Sequence, residues 1–248
     1  METMALASIL LATPLFAADS LGNRQKPNVV WIMAEDISTE LACYGHPAVK
    51  TPNLDALAQQ GARYTQAFCT APSCTPSRNA MMTGVYQTRT DTQDQRRRGI
   101  TFPDGMKPIT YLLREVGYFK ALGCGYSSKT DLNFKAEPFF DGKDWRTRKD
   151  GQPFFAQITL AISHRQGNGW SAVRKESGHH VDPNEVELPP CFPDHPVCRQ
   201  DWAEYLDAIE KVDSQMGDIL ARLKTEGMED NTVVIFIGDT GRCHLRGS

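Results

Sequence analysis

Between residues 69 and 84 the chain reads CTAPSCTPSRNAMMTG, with Cys69 and Cys74 five apart and Arg78 four residues beyond the second cysteine. Cysteines so placed invite a disulfide, a metal clip or a thiolate nucleophile. No CxxC pattern accompanies them, and none of the three accounts for the Pro-Ser-Arg that follows. Other chemistry-bearing residues lie far away in the chain. Glu35-Asp36 and Asp239 are oxygen donors without accompanying His or Cys, a set that suits Ca²⁺ or Mg²⁺ better than zinc. Lys129, in SKTD, adds a cation, and His164 adds an imidazole. Taken singly each is ordinary, since acids in βα loops more often cap helices and lone lysines and histidines are more often solvated or satisfied loop residues.

Strand-like runs precede most of these groups. PNVVWIM leads to Glu35-Asp36, PFFAQITLAIS (153–163) leads to His164, and VVIFI, opened by Asn231-Thr232, delivers Gly238-Asp239-Thr240-Gly241. Thr51 as N-cap and Pro52 at the first helical position start a helix, and LDALAQQ ends at Gly61 as a C-cap glycine would. ARYTQAF (62–68) reads as a strand feeding the cysteine stretch, 108–115 as a helix stopped by Gly117, and YFKAL as the next strand. Residues 199–226 form the longest expected helix, with Trp202, Tyr205, Ile209, Val212, Met216, Ile219 and Leu223 at three- and four-residue spacing. Within the cysteine stretch a helix is expected to start near Pro76. This alternation predicts an α/β fold, a mostly parallel sheet with helices on both faces. Ligands bind outside the carboxyl ends of such strands, where Glu35, Asp36, His164 and Asp239 fall. The polar segment 165–198 reads as a long excursion on that rim, and no repeat or second domain boundary interrupts the pattern.

At 248 residues, 40% apolar and 23% charged, the chain has the composition of a globular protein with a sizeable core. A net charge of −3 gives no attraction to nucleic acid, and the one basic run, Arg96-Arg97-Arg98, is too short for a nucleic-acid footprint. Met4 to Phe16 is an apolar run too short to span a bilayer, followed by the small pair Ala17-Ala18. Residues 1–18 therefore read as a secretory signal and 19–26 as a linker, although Glu2 is the only charge ahead of the run. The expected location is secreted or periplasmic, with no membrane span. Of seven cysteines, six remain if Cys74 is used otherwise, and Cys191 with Cys198 could close locally, which spacing alone does not decide. Neither His179-His180 nor Cys243 has metal-site spacing.

Cys74-Thr75-Pro76-Ser77-Arg78, followed by Met81, Thr83 and Gly84, resembles the signature of the type I sulfatases of the alkaline-phosphatase-like superfamily. PNVVWIMAED, CYGHPAVKTPNLDALAQQGARYTQAF, SKTDLNF, PFFAQITL and NTVVIFIGDTG resemble the same family. The resemblance implies an alkaline-phosphatase-like sandwich in which 27–248 is the N-terminal catalytic domain, lacking the smaller C-terminal subdomain. It implies that a dedicated maturation enzyme oxidises Cys74 to Cα-formylglycine. The hydrate of that aldehyde has two hydroxyls on one carbon, one to attack sulfur and one to expel sulfate. By the same resemblance Arg78 orients this group, Lys129 and His164 contact the sulfate and its leaving oxygen, and Glu35, Asp36, Asp239 and Thr240 hold a divalent cation, usually Ca²⁺, that residue 74 also faces. The implied substrate is a sulfated small molecule or glycan, with Lys-Thr-Asp leaning toward glycans.

Four departures accompany the resemblance. Glu35 stands where many members have Asp, Thr240 where Asn or His follows the late aspartate, and Asp131 where many have a histidine two after the lysine. A family lysine expected soon after Asp239 falls at about Ser248, so a truncated chain is expected. The departures keep open a catalytically silent homologue that at most binds sulfated glycans. A phosphonate or phosphate ester hydrolase of the superfamily is a further alternative.

Overall fold

The computed structural model describes residues 25–135, 139–165, 169–177 and 180–242. The expected signal, most of the linker, His179 and Cys243 lie outside the described residues. One sheet is formed by β1 (Asn28–Ala34), β2 (Phe119–Leu122), β3 (Phe154–Leu160) and β4 (Thr232–Gly238). Its order is β2-β3-β1-β4 and every pairing is parallel. Parallel neighbours need crossovers. Helices α1 (Pro52–Gln60), α2 (Cys74–Thr83) and α3 (Ile109–Glu115) connect β1 to β2, and α4 (Gly169–Glu176) and α5 (Pro196–Thr225) connect β3 to β4.

Inner strand β3 is buried at every position, which is why it reads as a largely apolar run interrupted only by Gln157 and Thr159. In β1, Val30, Ile32 and Ala34 enter the core, together with Trp202, Tyr205, Ile209, Val212, Met216, Ile219 and Leu223 of α5. Each fully buried Val, Ile, Leu or Met side chain among them stabilises the fold by roughly 1.5–3 kcal/mol. On the other pleat, Met33 Sδ and Thr159 Oγ1 meet Arg78 of α2, so helices do lie against both faces. That second face is bare at the β4 edge, where Val233 and Ile235 are 48% and 43% exposed. No described helix is long and apolar enough to cross a membrane.

Several local expectations are corrected. ARYTQAF forms no strand, and Tyr64 and Phe68 are 74% and 88% exposed. A strand needs a partner for its ladder, and no described strand runs beside this one. Gly61 has φ −128°, an extended backbone, whereas Gly84 after α2 is left-handed, at φ 70° with its N–H on Ala80 O. Thr51 does not cap α1 with its hydroxyl, which donates to Asp55 Oδ1 and accepts from Ala42 N. Asp213 of α5 caps it instead, taking Leu54 N at 2.8 Å and Asn53 N at 3.3 Å. Helix α2 does start near Pro76, at Cys74, where a proline in the first turn has no N–H to leave unpaired. Cys191 and Cys198 are both free, as are Cys43, Cys69, Cys74 and Cys124.

Candidate active site

Helix α2 lies across the carboxyl end of the sheet with Cys74 in its first turn. Gln95 Nε2 donates to Cys74 Sγ at 3.1 Å, and its Oε1 accepts from Thr75 N at 3.3 Å. Burial pushes the Cys74 thiol above its ordinary value, with Asp131 adding to the rise and Gln95 and Lys129 opposing it. Cys74 is therefore a neutral, buried thiol at neutral pH, the opposite of an activated thiolate. With no disulfide either, the first readings of the cysteine pair fall away. Cys69 is exposed, and its Sγ donates to Thr240 O at 3.4 Å, just past β4.

One turn along α2, Arg78 is 1% exposed and joins three strand ends. Its Nε and Nη2 reach Asp239 Oδ2 at 3.1 and 2.9 Å, Nη2 reaches Glu35 Oε1 at 3.4 Å, and Nη1 reaches Thr159 Oγ1 at 3.0 Å. Ser77 Oγ also donates to Asp239 O, at 2.5 Å. The acids are placed by continuing ladders: Glu35 N donates to Leu160 O, and Asp239 N donates to Ala34 O, both at 3.1 Å. Gly238 makes this closure feasible, because a Cβ there would lie 2.2 Å from Ile37 O. Asp36 follows at φ 54°, a left-handed conformation that aspartate tolerates better than most residues. Its N–H donates to Asp239 Oδ1 at 3.2 Å, and its carbonyl accepts from Tyr205 Oη at 2.8 Å.

Lys129 bridges the acids and the cysteine. Its Nζ lies 2.8 Å from Glu35 Oε2 and 3.0 Å from Asp131 Oδ2. Burial alone would lower the Lys129 ammonium, but Glu35 and Asp131 outweigh it and hold the ammonium above its usual value. Burial would likewise raise the Asp131 carboxyl, yet Lys129, then Cys74 and Arg78, keep it below the ordinary aspartate value. His164 closes the ring, with Nε2 at 3.7 Å from Glu35 Oε2 and 4.0 Å from Asp36 Oδ2. Its buried Nδ1 has no hydrogen-bond partner.

Four carboxylates, Glu35, Asp36, Asp131 and Asp239, thus share the site with two permanent cations, Arg78 and Lys129, a surplus of two negative charges. That surplus, with donors that are all hard oxygens, fits a divalent Ca²⁺ or Mg²⁺. Among the described residues no three His, Cys, Asp or Glu side chains converge as a ready ligand set, because Arg78 and Lys129 draw Glu35 and Asp239 to themselves. Thr240 Oγ1 donates to Asp239 Oδ1 at 3.4 Å and to Gly241 O at 3.1 Å.

Every candidate residue, Glu35, Asp36, Cys74, Arg78, Lys129, His164, Asp239 and Thr240, falls at this one end of the sheet. Sequence reasoning missed Gln95 and Thr159 and noted Asp131 only as a departure. Thr159 carries a signal in retrospect, as a polar residue facing the cation side near the end of a buried strand. A cavity of about 780 Å³ lined by Lys50, Asn53, Asp207 and Asp213 opens among α1, α4 and α5, and none of the candidate residues lines it.

A parallel sheet with its polar residues gathered beyond the strand ends is the arrangement in which open α/β folds place their ligands. The solved phosphonate monoester hydrolase of Agrobacterium radiobacter superposes with a TM-score of 0.64 at 18% identity, covering 86% of this chain and 62% of that one. A structure holding its substrate D-glucosamine-2-N,6-O-disulfate superposes at 0.62 and 15% identity, covering 87% of this chain and 66% of that one. The Sulfatase family model matches residues 27–143 and 125–245, and the chain belongs to that family. It is similar to an ulvan-active sulfatase of Formosa agariphila, 26% identical over 268 residues that cover 88% of this chain and 44% of the relative. It is also similar to human steryl-sulfatase, 39% identical over 122 residues that cover 43% of this chain and 21% of that protein. The chain spans about half the length of these curated relatives or less.

Proposed function

We propose that this chain contributes the N-terminal catalytic part of an exported sulfuric ester hydrolase acting on a sulfated carbohydrate. The observation that carries the reading is the pairing of a buried neutral thiol at Cys74 with Arg78 one turn on, which ties the ends of β1, β3 and β4 together. A thiol so buried is a poor nucleophile as it stands and well placed as a precursor. Once oxidised by a maturation enzyme, residue 74 supplies the two hydroxyls needed to attack sulfur and then release sulfate. Glu35, Asp36 and Asp239, with Thr240 beside them, would hold the divalent cation, and that cation would polarise the sulfate oxygens.

The other steps belong to the chain's own side chains. Lys129 carries a firm positive charge and offsets charge gathering on the sulfate. Asp131, paired with Lys129 at 3.0 Å and kept ionised, is placed to accept a proton from residue 74. His164 supplies a donor to the leaving oxygen. Arg78 holds Glu35 and Asp239 in place and is itself too buried to serve as a mobile contact. A second reading, a silent homologue that only binds sulfated glycans, is favoured by the pairing of Glu35 and Asp239 with basic side chains instead of a shared ligand position. Sulfate release from a panel of sulfated saccharides, measured after co-expression with a maturation enzyme, separates the two. Release that Lys129→Met abolishes is expected. Binding of the panel without release would overturn hydrolysis in favour of the silent reading.

A further inference from the structure

The basic run Arg96-Arg97-Arg98 lies beside Cys74. Gln95, which touches Cys74 Sγ and Thr75 N, immediately precedes it, so the Cα of Arg96 is about 3.8 Å from that of a residue in contact with the site. Both ends of the run are anchored. Before it, Asn133 Nδ2 donates to Asp94 O at 2.9 Å and to Thr92 O at 3.4 Å. After it, Ile100 N donates to Asn133 O at 3.0 Å, and Lys135 N donates to Ile100 O at 2.8 Å. Asn133 is in turn fixed to α2 by its own N–H, which donates to Asn79 Oδ1 at 3.1 Å. Residues 95–99 are therefore a turn held against the helix that carries Cys74.

Within this turn Arg96 has φ 60° and Gly99 has φ 87°. Glycine adopts that backbone freely, while a residue with a Cβ does so against a steric penalty. Arg97 folds back onto Asp91 at 2.9 Å and Asp94 at 3.4 Å. Arg96 and Arg98 are exposed and form no ion pair with a described residue. The result is two exposed guanidinium groups on the turn whose Gln95 touches Cys74. Exposed cations so close to the site raise the encounter rate of an approaching polyanion.

We propose that Arg96 and Arg98 form a second anion subsite, which takes a further sulfate or carboxylate on the same substrate molecule whose scissile sulfate meets residue 74. The guanidinium fork matches either oxyanion with two parallel hydrogen bonds. This rests on the reading of Cys74 as the centre of sulfate ester hydrolysis, and it narrows the substrate class to esters with at least two anionic groups.

The test is calorimetric binding to the chain with Cys74 unmodified, so that no turnover occurs. The probes are a disaccharide with one sulfate, the same disaccharide with a sulfate on each ring, and one with a sulfate on one ring and a carboxylate on the other. Arg96→Gln/Arg98→Gln is compared with Lys149→Gln/Lys224→Gln, which removes the same charge at exposed positions elsewhere. The arginine variant should weaken one or both two-anion probes about three- to ten-fold, the range expected for two exposed ion pairs. It should leave the one-sulfate probe within about 1.5-fold, and raised salt should shrink the difference. The probe that responds identifies the second group as sulfate or carboxylate, and the lysine variant should change nothing. Equal weakening of all three probes, an equal effect of the lysine variant, or no binding by the parent chain would each overturn the subsite. Loss of the preference in the arginine variant, in a chain whose mature form releases no sulfate, would keep the subsite and refute hydrolysis.

Discussion

Replacing Arg78 by methionine keeps an unbranched stem and removes the guanidinium. The two partners left behind differ. Glu35 retains Lys129 at 2.8 Å, but Asp239, fully buried, loses both of its hydrogen bonds from Arg78. Breaking a buried pair by removing one partner costs about 3–5 kcal/mol, because the other remains a charge without water. Against the roughly 5–15 kcal/mol that holds a typical domain together, that is a large fraction. Equilibrium urea unfolding followed by circular dichroism reads the loss directly, and at a slope of about 2 kcal/mol/M the midpoint should fall by about 2 M. The structure makes a second, sharper demand. Adding Asp239→Asn in the Arg78→Met background removes the stranded charge, so the double variant should be more stable than Arg78→Met alone by about 1 kcal/mol or more. A single-variant loss below about 1 kcal/mol, or further destabilisation by Asp239→Asn, would refute the account of Arg78 as counter-ion to the strand-end acids.

Ca²⁺ that binds only the folded chain should raise its stability by about 2.7 kcal/mol at a hundred times its dissociation constant. Glu35→Gln should remove most of that gain in thermal melts with and without chelator. Gly238→Ala forces a Cβ to within 2.2 Å of Ile37 O, so a loss of about 1–3 kcal/mol in urea unfolding is expected, with weaker Ca²⁺ binding as Asp239 shifts. Burial would raise the Asp144 carboxyl, but Arg222 and Arg146 hold it below the ordinary aspartate value. Its contribution is therefore present above the unfolded value of about 3.9 and lost as pH falls through the lower folded value. Asp144→Asn should melt below the parent at pH 7, and the gap should close as the pH drops below about 3.9.

Where local pattern governs, the chain was legible. The three-and-four spacing of α5, the apolar run of β3 and the glycine-aspartate end of β4 all appear where the sequence put them. The failures share a cause, which is that a distant group decided the outcome. Thr51 has the right type for an N-cap, yet the cap comes from Asp213 on another helix, 159 residues beyond Leu54. ARYTQAF has strand composition, but a strand exists only with a neighbour. Gln95 carried no signal at all, being one polar residue in a polar turn, and only the packing of that turn against α2 brings it to Cys74. Arg78 was visible through its motif, while its role as a clamp on three strand ends follows only from sheet order.

The central claim is that Cys74 is a precursor and Cys69 is not. Mass spectrometry of the tryptic peptide YTQAFCTAPSCTPSR, isolated after co-expression with a maturation enzyme, tests it most directly. The account predicts an aldehyde in place of the thiol at Cys74 and an intact thiol at Cys69. Two intact thiols, or conversion at Cys69, would contradict it.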